Sequence, residues 1–358
     1  MSQSLKQLWK HSSSLIILGK SAEATKISNF NYKVLVLERP SKASYPGALV
    51  FPGGVAEQSD QVEDWLKFYR KFGIDDTKFT SIFKKCSNRS FIFNHDSSNI
   101  INRDISLRIT AIRETFEELG VLICKNKEQL NDSSLFSNLS NNFDVAFWQK
   151  QVYKDASNFL KLCEELNVVP DLWSLHEWSV WLTPTFKRQK RFETVFYLVG
   201  VKEQPNIQVT NDEVQRSLWL TPKELLDYNK SGENWLPPPQ LYESSRLNNE
   251  PNIDKIVPFA RERGMNAPTT LIFPMHYHTK DGIIHCYPGD DFYPKNPNYM
   301  ATEHDLEQYA EKTCDECRKM AENLHRIELK SLQNVQIWQN VKLPDNHLSP
   351  QTTPESKL

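Results

Sequence analysis

Three glutamates, Glu114, Glu117 and Glu118, stand at i, i+3 and i+4 within Arg113-Glu114-Thr115-Phe116-Glu117-Glu118-Leu119-Gly120. Read as a helix running in from Ile105, the stretch puts Ile109, Ile112, Phe116 and Leu119 on one face and the carboxylates on the other. Each like-charge pair at this spacing costs about 0.2–0.5 kcal/mol on an exposed helix. A hard divalent cation would offset that repulsion, because Mg²⁺ or Mn²⁺ is held by a few carboxylates together with waters and phosphate oxygens. The plainer account is a solvated helix face on which Arg113 pairs with one glutamate.

The elements needed to position such a helix can be read around it. Apolar runs at 15–18 and 33–37 predict two strands, and a third run leads through Pro46 and Gly47 into Phe51-Pro52-Gly53-Gly54. Gly120 ends the helix, and strands follow at 121–124, 178–182 and 192–201. One long amphipathic helix is expected over 143–166, and Thr221-Pro222-Lys223-Glu224 is a helix start with a capping box. Strands alternating with helices predict an α/β/α sandwich around a mixed β-sheet. Residues 300–341 are expected to form a C-terminal helical extension, and the Pro, Asn, Ser and Thr-rich stretch 342–358 a disordered tail.

At 358 residues with a net charge of −2, the chain has no broad attraction for nucleic acid. Its apolar runs fall far short of the roughly 18 residues that span a membrane. Six scattered cysteines without a secretory signal predict free thiols in a reducing compartment. Cys314 and Cys317 have zinc-knuckle spacing but lack a second pair, and His276, His278 and His285 fit an ordinary half-exposed hairpin as well as a metal site.

Phe51 to Gly54, then Asp60, then Arg113 to Val121, together resemble the two halves of the Nudix box. The second half is complete. In the first, Asp60 stands where the family usually has glutamate, and 52 residues (61–112) separate the halves where the family has a short connection. A long insertion there, placed at 61–104, is similar to the coenzyme A diphosphatase branch of the superfamily. Leu236-Pro-Pro-Pro-Gln-Leu-Tyr-Glu243 and Tyr287-Pro-Gly-Asp290 extend the likeness. Arg39, Gly47 and the Phe51–Gly54 stretch also fit that branch, although its second arginine is missing, with Lys42 or Ser44 in the place.

The resemblance implies a Nudix domain over 1–341 that hydrolyses the diphosphate of coenzyme A and acyl-coenzyme A to 3′,5′-ADP and (acyl-)4′-phosphopantetheine. Glu114, Glu117 and Glu118 would hold Mg²⁺ or Mn²⁺. Arg113 would orient them, with Asp60 acting from behind, and Glu213 is a candidate general base or extra ligand. Arg39, Gly53, Gly54 and Arg191 would meet the substrate, Arg191 lying in a basic cluster with Arg188 and Lys190. The alternatives are a Nudix hydrolase of ADP-ribose or a dinucleotide, and a catalytically silent nucleotide-binding module. The aromatics of 65–93 are expected to form the insertion's own small core. The final Ser356-Lys357-Leu358 reads as an address for a peroxisomal import receptor, so peroxisomal localisation is expected, with the mitochondrion as the alternative.

Overall fold

A computed structural model describes residues 9–21, 29–42, 45–86, 89–94, 101–132, 134–185, 190–205, 207, 213–301 and 306–353. Strand Lys10–Lys20 is the organising strand. It pairs in parallel with Phe192–Val201 and antiparallel with both Tyr32–Glu38 and the short strand Gly53–Val55. Arg216–Leu220 extends the sheet beyond Tyr32–Glu38, while His176–Leu182 and Leu271–Ile272 extend it the other way. The result is the expected mixed sheet.

Period-two alternation sends neighbouring side chains of the central strand to opposite cores. Leu15 and Ile17 meet the Arg103–Leu119 helix, together with Ile109, Ile112 and Phe116. Ile16 and Leu18 face the other way, towards Leu241, Ile256 and Val257 of the helices Pro238–Leu247 and Ile253–Asn266. Phe116 is wholly buried, and burial of such a side chain stabilises by about 1.5–3 kcal/mol. The sandwich is therefore α/β/α. Among the described residues, no helix is long and apolar enough to cross a membrane.

Several local expectations give way. The 143–166 stretch forms two helices, Val145–Lys154 and Asn158–Leu166, because Asp155 is extended and its carboxylate caps the Ser157 N–H at 2.9 Å. The insertion does not build a separate core. Its helix Asp64–Lys71 buries Trp65 and Tyr69 against Phe159 and Trp173, in the cluster beneath the Arg103–Leu119 helix.

The expected C-terminal helical extension is mostly sheet. Met275–Thr279, Gly282–Cys286, His325–Leu329 and Val335–Gln339 form an antiparallel meander, and the described helix in 300–341 is the short Cys314–Lys319. His-Arg-Ile-Glu-Leu alternates with period two, a signal hidden by the charge around it. Within the stretch expected to be a disordered tail, described residues are tied to the body of the fold. The Gln351 N–H donates to Ser245 O at 3.2 Å and the Thr353 N–H to Ile337 O at 2.9 Å. Ser356-Lys357-Leu358 lies outside the described residues.

Candidate active site

The Arg103–Leu119 helix begins on the Asn102 side chain, which accepts the Asp104 N–H at 2.7 Å, and ends on left-handed Gly120. Its acidic turn faces the Gly53–Val55 strand. Gly53 is sterically required, and Gly54 leaves Glu114 the room to hold its position. A Cβ on Gly53, whose φ is +149°, would lie 2.4 Å from Ser13 O, and one on Gly54 would lie 2.4 Å from the Glu114 carboxyl carbon. The main chain therefore presses directly on Glu114. The Gly53 N–H donates to Glu118 Oε2 at 2.9 Å.

Arg113, 2 % exposed, is the hub. Its Nε and Nη2 donate to the two oxygens of buried Asp60 at 2.7 and 2.9 Å, and Nη2 also reaches Val55 O at 3.0 Å. The same guanidinium pairs with Glu114 at 3.0 Å and with Glu117 through Nη1. Thr110 Oγ1 donates to Asp60 at 2.8 Å, and the Glu57 N–H adds a bond of 3.0 Å. Both carboxylate oxygens of Asp60 are thus hydrogen-bonded.

Asp60, Glu114 and Glu117 bring three carboxylates to one arginine, and Glu118 stands beside them on the Gly53 N–H. Burial raises the Glu114 carboxyl to about 7 against the pull of Arg113, with Glu117 and Asp60 adding repulsion. Burial likewise raises Glu117, and it holds Glu118 well above the carboxylate range, with Glu114 and Glu213 adding to the effect. The excess is one that a cation relieves.

Among the described residues, no three His, Cys, Asp or Glu side chains form a ready-made metal cage. The glutamates instead lie mostly buried, Glu114 and Glu117 keeping part of their surface accessible, with Arg113 and Gly53 holding some of the oxygens. That donor set fits a hard cation sharing its shell with water and phosphate. The same absence holds for the histidine hairpin and for Cys314 and Cys317. His276 and His285 stack at 3.8 Å, and both cysteines are free and buried.

Glu213 is brought to this face. Its charge acts on Glu117 and Glu118, and Tyr153 Oη donates to its Oε1 at 3.2 Å. Arg39 also lies near enough to stabilise the ionised form of Glu118. Arg191 is not brought there. It sits beside Lys10, four residues or about 13 Å along the strand from Ser14. Buried against the Trp9 and Phe273 rings, it donates to Thr183 O and Tyr299 O. Arg188 lies outside the described residues, and Lys190 is exposed.

Sequence reasoning missed Thr110, Tyr153 and Gln149. Gln149 Nε2 donates to Phe116 O and Glu117 O at 3.2 Å each, capping the last turn of the acidic helix. Thr110 lies one helical turn before Arg113 and was open to inference, whereas Gln149 and Tyr153 carry no local signal.

Residues 9–247 match the family described as the NUDT19 Nudix domain, and residues 276–340 match the NUDT19 C-terminal domain. Proteins named acyl-coenzyme A diphosphatase NUDT19 are similar along most of the chain. The Xenopus laevis protein is 31% identical, covering 96% of each chain. The Homo sapiens protein is also 31% identical, over 83% of this chain and 80% of its own. Among solved structures, a NUDIX hydrolase from Alicyclobacillus acidocaldarius shares the fold, with a TM-score of 0.51 and 21% identity over 70% of this chain and 96% of its own. Nudix hydrolases generally use divalent metal ions, in keeping with the oxygen face of the acidic helix. The Arg113-braced glutamates, the Gly53–Gly54 turn and these matches agree, and the chain belongs to the NUDT19 family of Nudix hydrolases.

Proposed function

We propose that this protein hydrolyses the diphosphate bond of coenzyme A and acyl-coenzyme A, releasing 3′,5′-ADP and (acyl-)4′-phosphopantetheine, with Mg²⁺ or Mn²⁺ as cofactor. The observation that carries the reading is the over-acidic turn of Glu114, Glu117 and Glu118, braced by one buried arginine. The substrate follows from the relatives' name, acyl-coenzyme A diphosphatase.

In this reading, Glu114, Glu117 and Glu118 hold the cation against the diphosphate, and Arg113 fixes the rotamers of the first two. The chemistry supplied by the bound cation is neutralisation of phosphoryl charge and acidification of water. Arg39 meets a phosphate oxygen, and Glu213 takes the proton of the attacking water. A P–O bond forms from water, the bridging P–O bond breaks, and the departing phosphate carries the charge. The presence of all three glutamates disfavours the silent binding module.

Incubation with coenzyme A and Mg²⁺ or Mn²⁺ tests the reading. Formation of 3′,5′-ADP and phosphopantetheine by the wild type but not by Glu117→Gln supports it, while cleavage of only ADP-ribose or a dinucleotide moves the substrate elsewhere. We also propose peroxisomal localisation through an import receptor that reads Ser356-Lys357-Leu358. Retained peroxisomal targeting after deletion of those three residues would overturn it.

A further inference from the structure

Two additions to the sandwich meet at the far end of the acidic helix. Arg89–Phe91 of the insertion, residues 268–271 and the 288–299 loop of the C-terminal sheet enclose a cleft of about 700 Å³, also closed by Pro344. That volume falls in the range of small-molecule sites. Phe91, Leu271, Tyr293, Tyr299 and Pro297 make its lining largely apolar, and Lys295 adds a cation.

One feature marks the cleft as a place for a ligand. Phe91 is 44 % exposed although it packs on Tyr299 at 5.5 Å, so an aromatic face is held open to the cleft. Tyr293 also lines the cleft, with its ring half-buried and its hydroxyl inside the wall. The wall is braced from behind, since Arg191 Nη1 donates to Tyr299 O at 2.9 Å.

The distance from the glutamates is set by the helix. Arg89, on the cleft wall, pairs with Asp104 at 2.6 and 2.9 Å. Asp104 lies ten residues before Glu114 on the same helix, a separation of about 15 Å at 1.5 Å per residue. The phosphopantetheine arm of coenzyme A has the extended reach of about four residues of backbone, roughly 15 Å from phosphorus to sulfur.

We infer that this cleft receives the acyl end of an acyl-coenzyme A substrate, with the first methylenes against Phe91 and Tyr299. The inference rests on the coenzyme A diphosphatase reading and gives the insertion and the C-terminal sheet a shared task. Each methylene buried there raises kcat/KM by up to about fourfold.

The experiment compares octanoyl- with acetyl-coenzyme A in the wild type, Phe91→Glu and Phe91→Ser, with melting temperature as the folding control. Phe91 is already part exposed, so both variants should fold. The expected result is at least a fivefold fall in the octanoyl-to-acetyl ratio of kcat/KM in Phe91→Glu and a smaller fall in Phe91→Ser. A ratio within twofold of wild type in both variants overturns the cleft and leaves the diphosphatase reading standing. If wild type cleaves neither ester, the diphosphatase reading itself fails, and this inference fails with it.

Discussion

The two ends of the Arg103–Leu119 helix carry opposite electrostatic arrangements. At the start, Asp104 and Glu177 meet Lys84, Arg89 and Arg108, two carboxylates with three cations. Burial alone would raise the Glu177 carboxyl, yet Lys84 and Arg89 hold it down at about 2. Near the other end, Asp60, Glu114 and Glu117 share Arg113 with Glu118 close by, and burial raises Glu114 to about 7. Burial is severe at both ends, so the difference lies in pairing. The paired end staples the insertion and the strand His176–Leu182 to the helix, whereas the acidic end, with more carboxylates than cations, leaves charge for something else to neutralise.

The contrast can be broken most strongly at the acidic end. Glu117→Gln should lower coenzyme A hydrolysis by at least about a hundredfold by removing one of the three proposed ligand charges. In the same variant, the metal-free melting temperature should rise, because a repelling buried carboxylate has been removed. Undiminished turnover, or a clear loss of stability without metal, would contradict the contrast.

Gly54→Ala should be nearly as damaging. The new Cβ cannot coexist with the present Glu114 carboxylate, so turnover should fall by about tenfold or more, and stability by about 1–3 kcal/mol. Wild-type activity with added Mg²⁺ would show that Glu114 is free to move.

At the paired end, Lys84→Met should cost roughly 3 kcal/mol in a urea titration by leaving Glu177 with Arg89 as its remaining cation. The pH dependence sharpens the point. Glu177 has its folded pKa depressed below the unfolded value, so it contributes stability above about 4.5 that is lost as the pH falls through about 2. The acid limb between those values should be shallower in Lys84→Met, and an unchanged slope would remove Lys84 from the account. The smallest effect is expected from Tyr153→Phe, which removes the hydroxyl that donates to Glu213. A two- to fivefold loss of kcat at unchanged melting temperature would fit the half-exposed bond.

The acidic end was legible because its pattern is local. A 3.6-residue period, a left-handed glycine stop and a Gly-Gly turn lie in two short stretches of chain. The paired end was not. Lys84 and Glu177 are separated by 93 residues and join only when the insertion docks on the strand His176–Leu182, a tertiary event without a periodic signature. Arg191 misled for the reverse reason, since its neighbours in sequence are basic and polar while its neighbours in space are Trp9, Phe273 and two carbonyls. The strands His325–Leu329 and Val335–Gln339 were read as helix because the charged stretch before them ran on into them, and each strand is too short for alternation to stand out.

The Ile101 N–H donates to Gln61 O at 3.1 Å, so the insertion leaves and re-enters the domain at adjacent points. Chain growth there does not pry the two halves of the box apart, because Asp60 and Arg113 clasp each other at the base of the loop. Loop closure adds only about 0.6 kcal/mol for each doubling of length. Over evolutionary time, length at this point is therefore nearly free to drift, and a lineage can acquire new surface at the mouth of the loop while the chemistry a few residues away stays fixed.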